Sequence, residues 1–179
     1  MADDVSLSKP SPADEAEFVA AVRGSRSHLH PWADPADTPQ RFAAYLDRAA
    51  RPDHACFLIR HASCGDLVGF VNINSIVRSA LQSGYLGYAG FASHAGRGLM
   101  TAGLRAVVVT AFGEMRLHRL EANIQPANAR SIALVQRLGF RQEGFSPQYL
   151  MVDGQWRDHE RWALLAAEWQ PAGLTRPGS

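Results

Sequence analysis

The hydrophobic positions of this chain recur every three to four residues in some stretches and every second residue in others. The first period predicts helices and the second predicts strands. Helices are expected after Ser11, over 39–50, over 99–115, and between Asn128 and Gly139. Strands are expected over 5–9, 55–61, 67–77, 84–92, 118–125, 140–152 and 155–165.

The order of these elements predicts the fold class. A strand, two helices and three strands come first, followed by a helix, a strand, a helix and two closing strands. Only the middle portion has strand–helix–strand character, which argues against a doubly wound fold. Turn residues at 63–66 and at Asp153-Gly154 indicate two hairpins. The chain is therefore expected to be an α/β (α+β) protein with a mixed, mostly antiparallel sheet flanked by helices.

A glycine turn joins the fourth predicted strand to the third long helix. The turn reads Gly96-Arg97-Gly98-Leu99-Met100-Thr101. The first amides of a helix have no partner within it, and the helix dipole places partial positive charge there. Gly96 and Gly98 let the backbone approach a ligand, and Arg97 adds a cation, so the turn suits a phosphate or pyrophosphate. From the turn alone, a glycine hinge that binds nothing is an open alternative.

Two common phosphate-binding motifs do not fit this turn. The loop of P-loop NTPases requires a lysine after its last glycine, but Leu99 stands there. The dinucleotide fingerprint requires a third small residue where Thr101 stands, and its acidic partner, Glu121, lies in mid-strand. A ligand of this turn is therefore expected to be another compound with a pyrophosphate.

Composition narrows the class of protein. The 179 residues suit one domain, expected over 1–169 with a loose tail at 170–179, and a net charge of +1 gives no reason to expect nucleic-acid binding. No apolar run is long enough to span a membrane, and the first residues lack the apolar region of a secretory signal. The two cysteines fit no zinc template, so we expect no metal and a cytoplasmic location.

The element order and the glycine turn together resemble the GNAT acetyltransferase fold over 5–169. Several stretches are similar to the ribosomal-protein N-terminal (alanine) acetyltransferases of the RimJ/RimL type: His28-Leu29-His30-Pro31-Trp32, the glycine turn, Leu120-Glu121-Ala122-Asn123 with 126–131, Leu138-Gly139-Phe140 with Glu143-Gly144, and 149–159. The resemblance implies a six- or seven-stranded sheet with splayed central parallel strands. It also implies acetyl-CoA as co-substrate and direct acetyl transfer to an amine.

Four residues depart from the family pattern: Ala95, Met100, and the pair Ala102-Gly103, which stands where glutamate-alanine is usual. Ala95 stands where glutamine or arginine is usual, and Met100 stands where glycine or alanine is usual. Neither change removes backbone amides, so binding of CoA is still expected. Gly103 costs its helix about 1 kcal/mol relative to alanine, and the sequence offers no functional reason for it.

The resemblance also assigns residues to the co-substrate. The amides of Gly96, Arg97, Gly98, Leu99, Met100 and Thr101 would hold the pyrophosphate. Exposed amides around Phe91 and Ala92 would bond the pantetheine between the splayed strands. Asn128 would contact the pantetheine, although its position explains it equally as a helix N-cap. Phe140 would pack under the co-substrate and is a core residue in either case.

For catalysis, the attacking amine must be neutral. An α-amine with a pKa of about 7.7–8.0 is roughly a tenth neutral at pH 7, so only modest base assistance is needed. Glu121 is the first candidate base, with a salt bridge to Arg119 or a neighbour as the structural alternative. His30 and Asp158 are further candidates for the base. Ser131 could protonate the departing thiolate or could simply lie on the helix surface. His30, Trp32, Tyr85 and Tyr149 could bind the acceptor or serve as ordinary packing.

The acceptor is expected to be the N-terminal α-amine of a protein such as a ribosomal protein. Acceptor choice resides in variable loops, so a small amine, an amino acid or an antibiotic is an alternative. A regulatory module that binds CoA without turnover is an alternative from another class. The sequence predicts no membrane or nucleic-acid partner, and either a monomer or a homodimer.

Overall fold

A computed structural model describes residues 4–170. In this range the strands are β1 (Val5–Ser8), β2 (Ala55–His61), β3 (Leu67–Val77), β4 (Ser83–Gly90), β5 (Arg119–Ile124), β6 (Arg141–Val152) and β7 (Gln155–Leu165). The helices are α1 (Glu15–Gly24), α2 (Arg26–Leu29), α3 (Pro39–Ala49), α4 (Leu99–Phe112) and α5 (Ala129–Arg137). The tail predicted at 170–179 lies, except for its first residue, outside the described range.

The strands form one sheet in the order β1-β2-β3-β4-β5-β7-β6. Each neighbouring pair is antiparallel except β4 and β5, which are parallel. Helix α4 supplies the crossover that a parallel connection requires. The mixed, mostly antiparallel sheet expected from the element order is therefore confirmed.

The two parallel strands pair over only part of their length. Their register runs from Ser83 opposite Arg119 to Leu86 opposite Ala122 and then stops. Strand β4 continues to Gly90 and β5 to Ile124 beyond the last pair. The central strands are thus splayed toward their C-terminal ends, which confirms this part of the predicted fold.

Two hydrophobic clusters cover the two faces of the sheet. One face packs against α4 and α5, through buried side chains such as Leu104, Val107 and Val135. The other packs against α1 and α3, where Phe18, Phe42, Tyr45, Phe70 and Phe91 form a contiguous aromatic group. Between these two layers of helices, the gap between β4 and β5 opens into a cleft.

The first helical region differs from the prediction. A single 3₁₀ turn, Pro12–Asp14, precedes α1, and the Asp14 carboxylate accepts hydrogen bonds from the N–H and the hydroxyl of Ser11. The helix expected after Ser11 is followed by a separate short helix, α2, on which Leu29 is buried. The break lies at Ser25, whose hydroxyl accepts a hydrogen bond from the N–H of Ala92, 2.9 Å away.

Gly103 marks the closest approach of α4 to the sheet. A Cβ atom at this position would lie 2.3 Å from Cδ1 of Ile59 on β2 and 2.8 Å from its Cγ1 and Cγ2. Ile59 is fully buried, so its side chain has little room to move. The glycine that weakens the helix is therefore explained by packing, not by ligand binding.

Candidate active site

A cleft of about 1980 Å³ opens where β4 and β5 separate. Its walls are the second half of β4, the end of β5, the glycine turn with the start of α4, and the start of α5. The short segment around Leu29 and Trp32 closes one side. The fold thus brings the predicted pyrophosphate turn, the splayed strands and the α5 cap to one continuous cavity.

The glycine turn presents a row of unoccupied backbone donors. Gly96 and Gly98 have φ of +75° and +78°, and a Cβ at either position would meet nothing within 4 Å. Within residues 4–170, the N–H groups of 96–101 have no hydrogen-bond partner. Six free amides at the N-terminus of a 14-residue helix make a candidate anion site.

Cations surround this anion site. The arginines that line the cleft are Arg97, Arg105, Arg130 and Arg137. Among the described residues, Asp4 is the acidic residue that lines the cleft. The electrostatic balance of the cleft therefore favours a ligand that carries several negative charges.

Strand geometry corrects the predicted pantetheine contacts at Phe91 and Ala92. The N–H of Phe91 donates to the carbonyl of Val68 at 2.8 Å, and the N–H of Ala92 donates to the Ser25 hydroxyl at 2.9 Å. Both amides are therefore occupied. Because backbone groups alternate in direction along a strand, those of Tyr88 and Gly90 point toward the gap beside β5. Phe91 still lines the cleft, whereas Ala92 does not.

Met100 fills the space beside a glycine pair. Gly69 on β3 and Gly90 on β4 lie opposite each other, and a Cβ at either would come within 2.6 Å of the Met100 side chain. The long side chain thus packs on the bare backbone at the cleft wall. This contact gives a packing reason for the methionine that departs from the family pattern.

Helix α5 begins at the cleft with Asn128 and Ser131. The Asn128 side chain accepts a hydrogen bond from the N–H of Ser131 at 3.2 Å, so its role as N-cap is confirmed. The Ser131 hydroxyl donates to the hydroxyl of Tyr88 on β4, 3.0 Å away. Asn128 and Ser131 both line the cleft, whereas Phe140 is a buried core residue outside it.

Glu121 does not line the cleft. It lies opposite Tyr85, in the half of β5 that still pairs with β4. Its carboxylate accepts a hydrogen bond from Nε of Arg119 at 2.8 Å, and Arg119 also pairs with Glu143. The structure thus shows the salt bridge that was the alternative interpretation of this residue, and a role as base stays a prediction.

The four predicted acceptor residues are dispersed. Trp32 lines the cleft, and the ring of Tyr149 lies 6.2 Å from that of His159, which also lines it. His30 instead lies 3.5 Å from Asp153 at the tip of the β6–β7 hairpin. Tyr85 is partly exposed and lies outside the cleft. Gln125 holds the segment before Trp32 in place by donating to the carbonyl of Pro31 at 3.3 Å.

Several residues that line the cleft were missed by sequence reasoning, and among them Tyr88, Asn123 and His159 bear on the chemistry. Tyr88 and Asn123 each follow the last β4–β5 pair on their strand, a position that the predicted splay could have singled out. His159 belongs to the stretch that resembles the RimJ type, but it was not considered as a functional residue. Its placement depends on how β7 pairs with β5.

Comparison with known proteins agrees with this geometry. Residues 4–141 match the family model of the acetyltransferase (GNAT) domain. This chain is a GNAT acetyltransferase.

Named relatives of this acetyltransferase include bacterial N-acetyltransferases. The probable N-acetyltransferase YjcK of Bacillus subtilis (strain 168) is 36% identical over 126 residues, which make up 70% of each chain. The ribosomal protein uS5-alanine N-acetyltransferase of Escherichia coli (strain K12) is 40% identical over 106 residues, or 59% of this chain and 55% of that protein. The match therefore spans little more than half the length of the E. coli relative.

Solved structures share the whole fold. Mycobacterium smegmatis RimJ in complex with CoA-disulfide has a TM-score of 0.84 and 31% identity, covering 93% of this chain and 84% of its own. The ribosomal-protein-S5-alanine acetyltransferase of Vibrio fischeri has a TM-score of 0.81 at 23% identity, which shows a common fold alone. Within residues 4–170 of this acetyltransferase, no helix combines the length and hydropathy needed to cross a bilayer.

Proposed function

We propose that this acetyltransferase transfers the acetyl group of acetyl-CoA to the N-terminal α-amine of a protein, with a ribosomal protein as the expected acceptor. The observation that carries the proposal is the row of free amides at 96–101, at the mouth of the gap between β4 and β5. A diphosphate bound there directs the remainder of its carrier into the gap. GNAT enzymes use acetyl-CoA, and the M. smegmatis relative binds CoA-disulfide.

The residues present fit such a ligand along its length. The amides of 96–101 and the arginines around them suit the phosphates. The free backbone edges of Tyr88 and Gly90 suit an amide-containing arm, in the manner of an added strand. The arm ends near Asn128 and Ser131, where a donor to sulfur is needed. When bound, acetyl-CoA supplies an activated thioester carbonyl at that point.

The chain's own groups then perform two tasks. A backbone N–H on the gap side of β4, such as that of Tyr88, can donate to the carbonyl oxygen as it gains charge. The Ser131 hydroxyl donates to the Tyr88 hydroxyl at 3.0 Å in the free enzyme, and it can give its proton to the departing sulfur when it turns away from Tyr88. Both tasks require only groups that already line the cleft.

The choice of an α-amine rests on chemistry and on the relatives. An α-amine is neutral far more often at pH 7 than a lysine side chain, so a site with modest base assistance favours it. The E. coli relative acts, by its name, on an alanine of ribosomal protein uS5. We extend that acceptor class to this enzyme as part of the proposal.

Acceptor peptides test the proposal. A peptide that begins with alanine and contains one internal lysine would be compared with the same peptide acetylated at its N-terminus. Release of CoA thiol measures turnover, and mass spectrometry locates the acetyl group. We expect acetylation of the free α-amine and no turnover with the blocked peptide.

A panel of small amines separates the alternatives. Turnover with amino acids, polyamines or aminoglycosides, but not with the free peptide, would contradict the protein acceptor and favour a small-amine acetyltransferase. Tight binding of CoA with no turnover for any acceptor would favour a regulatory module. Acetylation of the internal lysine instead of the α-amine would also contradict the proposal.

A further inference from the structure

His159 is the buried histidine of the cleft. It lies on β7, is only 3% exposed and lines the cavity. Its Nδ1 lies 2.9 Å from the carbonyl oxygen of Arg157, so Nδ1 carries the proton and donates it to that oxygen. In this tautomer Nε2 holds a lone pair. Among residues 4–170, the hydrogen bond of the His159 side chain is the one made by Nδ1, and none is made by Nε2. A neutral imidazole with a free lone pair has the form that a general base requires.

Asn123 presents a second free acceptor on the same face of the sheet. It lies opposite Arg161, two residues along β7 from His159, so the two side chains are diagonal neighbours. Residues in that relation lie about 7–8 Å apart. The Oδ1 atom of Asn123 is buried and has no partner within the described range. Two neighbouring acceptors without donors match a ligand group that donates several hydrogens, such as an amine.

The acidic candidates are less suited to this task. Glu121 lies in the paired half of β5, and Arg119 occupies its carboxylate. The Asp158 carboxylate accepts the N–H of Gln148 at 2.8 Å, on the outer side of the β6–β7 hairpin. Neither carboxylate lines the cleft, whereas His159 and Asn123 both do.

Two arginines of β7, Arg157 and Arg161, flank His159 on its own face of the strand, and the Nε of Arg157 is buried without a hydrogen-bond partner within residues 4–170. The ring of Tyr149, on β6, packs edge-on against the ring of His159, with 6.2 Å between the two ring centroids. On its own strand, Arg161 is directed toward Gly144 on β6, where an added Cβ would lie 2.5 Å from its Nη2. From the opposite wall, His28 lines the cleft with its Nδ1 3.2 Å from Nη1 of Arg130. From β5, Asn123 faces it without charge.

We infer that His159 is the catalytic base that takes the proton of the acceptor amine, and that Asn123 holds that amine through its Oδ1. This inference rests on the proposed function. As the amine nitrogen forms its bond to the acyl carbon, its proton moves to Nε2 of His159. The C–S bond breaks, and the sulfur keeps the electron pair and takes the hydroxyl proton of Ser131. His159 then releases its proton to water, and Ser131 regains one from water.

The substitution that isolates Nε2 is His159→Asn. The Asn side-chain amide can still donate to the Arg157 carbonyl, but it offers no basic nitrogen. We expect kcat to fall by about 10²–10⁴, the usual contribution of general base catalysis, with the affinity for CoA unchanged by calorimetry. His118→Asn, at an exposed histidine just before β5, is the matched control and should retain full activity.

The pH profile gives a readout that a structural role would not move. In the wild type, both the amine and the base must be unprotonated, so log kcat/KM should rise with a limiting slope of two on the acid side. In His159→Asn one of these ionisations is lost, and the limiting slope should be one. An unchanged slope with an unchanged kcat would overturn the assignment.

Binding without turnover gives a third readout. With CoA in place of acetyl-CoA, addition of the alanine peptide should shift the NMR signals of the His159 imidazole, and Asn123→Ala should weaken binding of the peptide about tenfold. If the NMR signals of the His159 imidazole do not shift while the wild type acetylates peptides, the role of His159 is refuted and the proposed function stands. Absence of acetyl transfer by the wild type to any amine would refute the proposed function itself. Loss of activity in Glu121→Gln, but not in His159→Asn, would assign the base to Glu121 instead.

Discussion

The hydroxyl of Ser131 lies 3.0 Å from the hydroxyl of Tyr88, and this hydrogen bond joins the start of α5 to β4 beside the gap. Burial raises the pKa of Tyr88 to about 12, even though the hydrogen bond from Ser131 opposes the rise. The phenol therefore stays protonated at any pH at which the enzyme works. Tyr88 can thus fix the Ser131 hydroxyl without adding charge to the site.

Substitution of Ser131 should slow acetyl transfer more than substitution of Tyr88. We expect Ser131→Ala to lower kcat by about 10², because the departing sulfur loses its proton donor. Tyr88→Phe should lower kcat only about threefold to tenfold, since it removes two neutral hydrogen bonds, one from the Ser131 hydroxyl and one to the Ser131 carbonyl. Steady-state kinetics with the alanine peptide measures both effects. Ser63→Ala, in the exposed turn before β3, is the control. An equal fall in kcat for Ser131→Ala and Tyr88→Phe would contradict the assignment of the proton donor to Ser131.

The glycine turn can be tested with two glycines in matched conformations. Gly98 and Gly65 have φ of +78° and +77°, and a Cβ at either meets nothing within 4 Å. Alanine in this region of φ costs about 1–2 kcal/mol, so each variant should lose similar stability. Only Gly98→Ala should also bind CoA about tenfold more weakly, because its turn relaxes in the free enzyme and must be re-formed on binding. Calorimetry measures the affinity of each variant for CoA. If Gly98→Ala and Gly65→Ala bind CoA with equal affinity, the diphosphate does not bind at this turn.

Gly103→Ala should destabilise the protein despite its better helix propensity. The gain of about 1 kcal/mol in propensity is opposed by the overlap with Ile59, and overpacking of a core costs about 1–3 kcal/mol. Chemical denaturation should therefore show a lower free energy of unfolding for Gly103→Ala than for the wild type. Gly24→Ala, at the end of α1 where nothing lies within 4 Å, should show none. The double variant with Ile59→Val should recover part of the loss, and a stabilised single variant would contradict the packing argument.

Asp14 should make folding sensitive to acid. Burial acts to raise its pKa, but hydrogen bonds from Ser11 and Arg60 outweigh burial and hold the pKa below the ordinary value of 3.8. A lowered pKa contributes stability above the unfolded value, and that contribution is lost as the pH falls through the folded value. We expect Asp14→Asn to cost about 1–3 kcal/mol at pH 7.

The Asp14→Asn variant also tests the direction in which this contribution to stability changes with pH. The difference in free energy of unfolding between wild type and Asp14→Asn should be constant from pH 7 to 5 and should narrow below about pH 4. Urea denaturation over pH 3–7 measures it. Asp47→Asn, at an exposed position on α3, should show no such narrowing. A difference that widens in acid would contradict the argument.

The sequence predicted the local features of the site because local forces create them. The glycine turn, the N-cap at Asn128 and the bounds of β2, β3 and β7 depend on residues within a few positions of each other. The order of the elements also predicted a mixed, mostly antiparallel sheet. It did not reveal the directions of backbone groups, so the free amides were expected at Phe91 and Ala92.

The sequence by itself determined the elements, the glycine turn and the family resemblance. The tertiary structure alone decided which side chains meet in the cleft. Tyr88 and Ser131 are 43 residues apart, Asn123 and His159 approach only because β7 pairs with β5, and Glu121 is drawn into a salt bridge in the closed half of the strands. Such contacts depend on strand order and register, which long-range pairing fixes and no local pattern encodes.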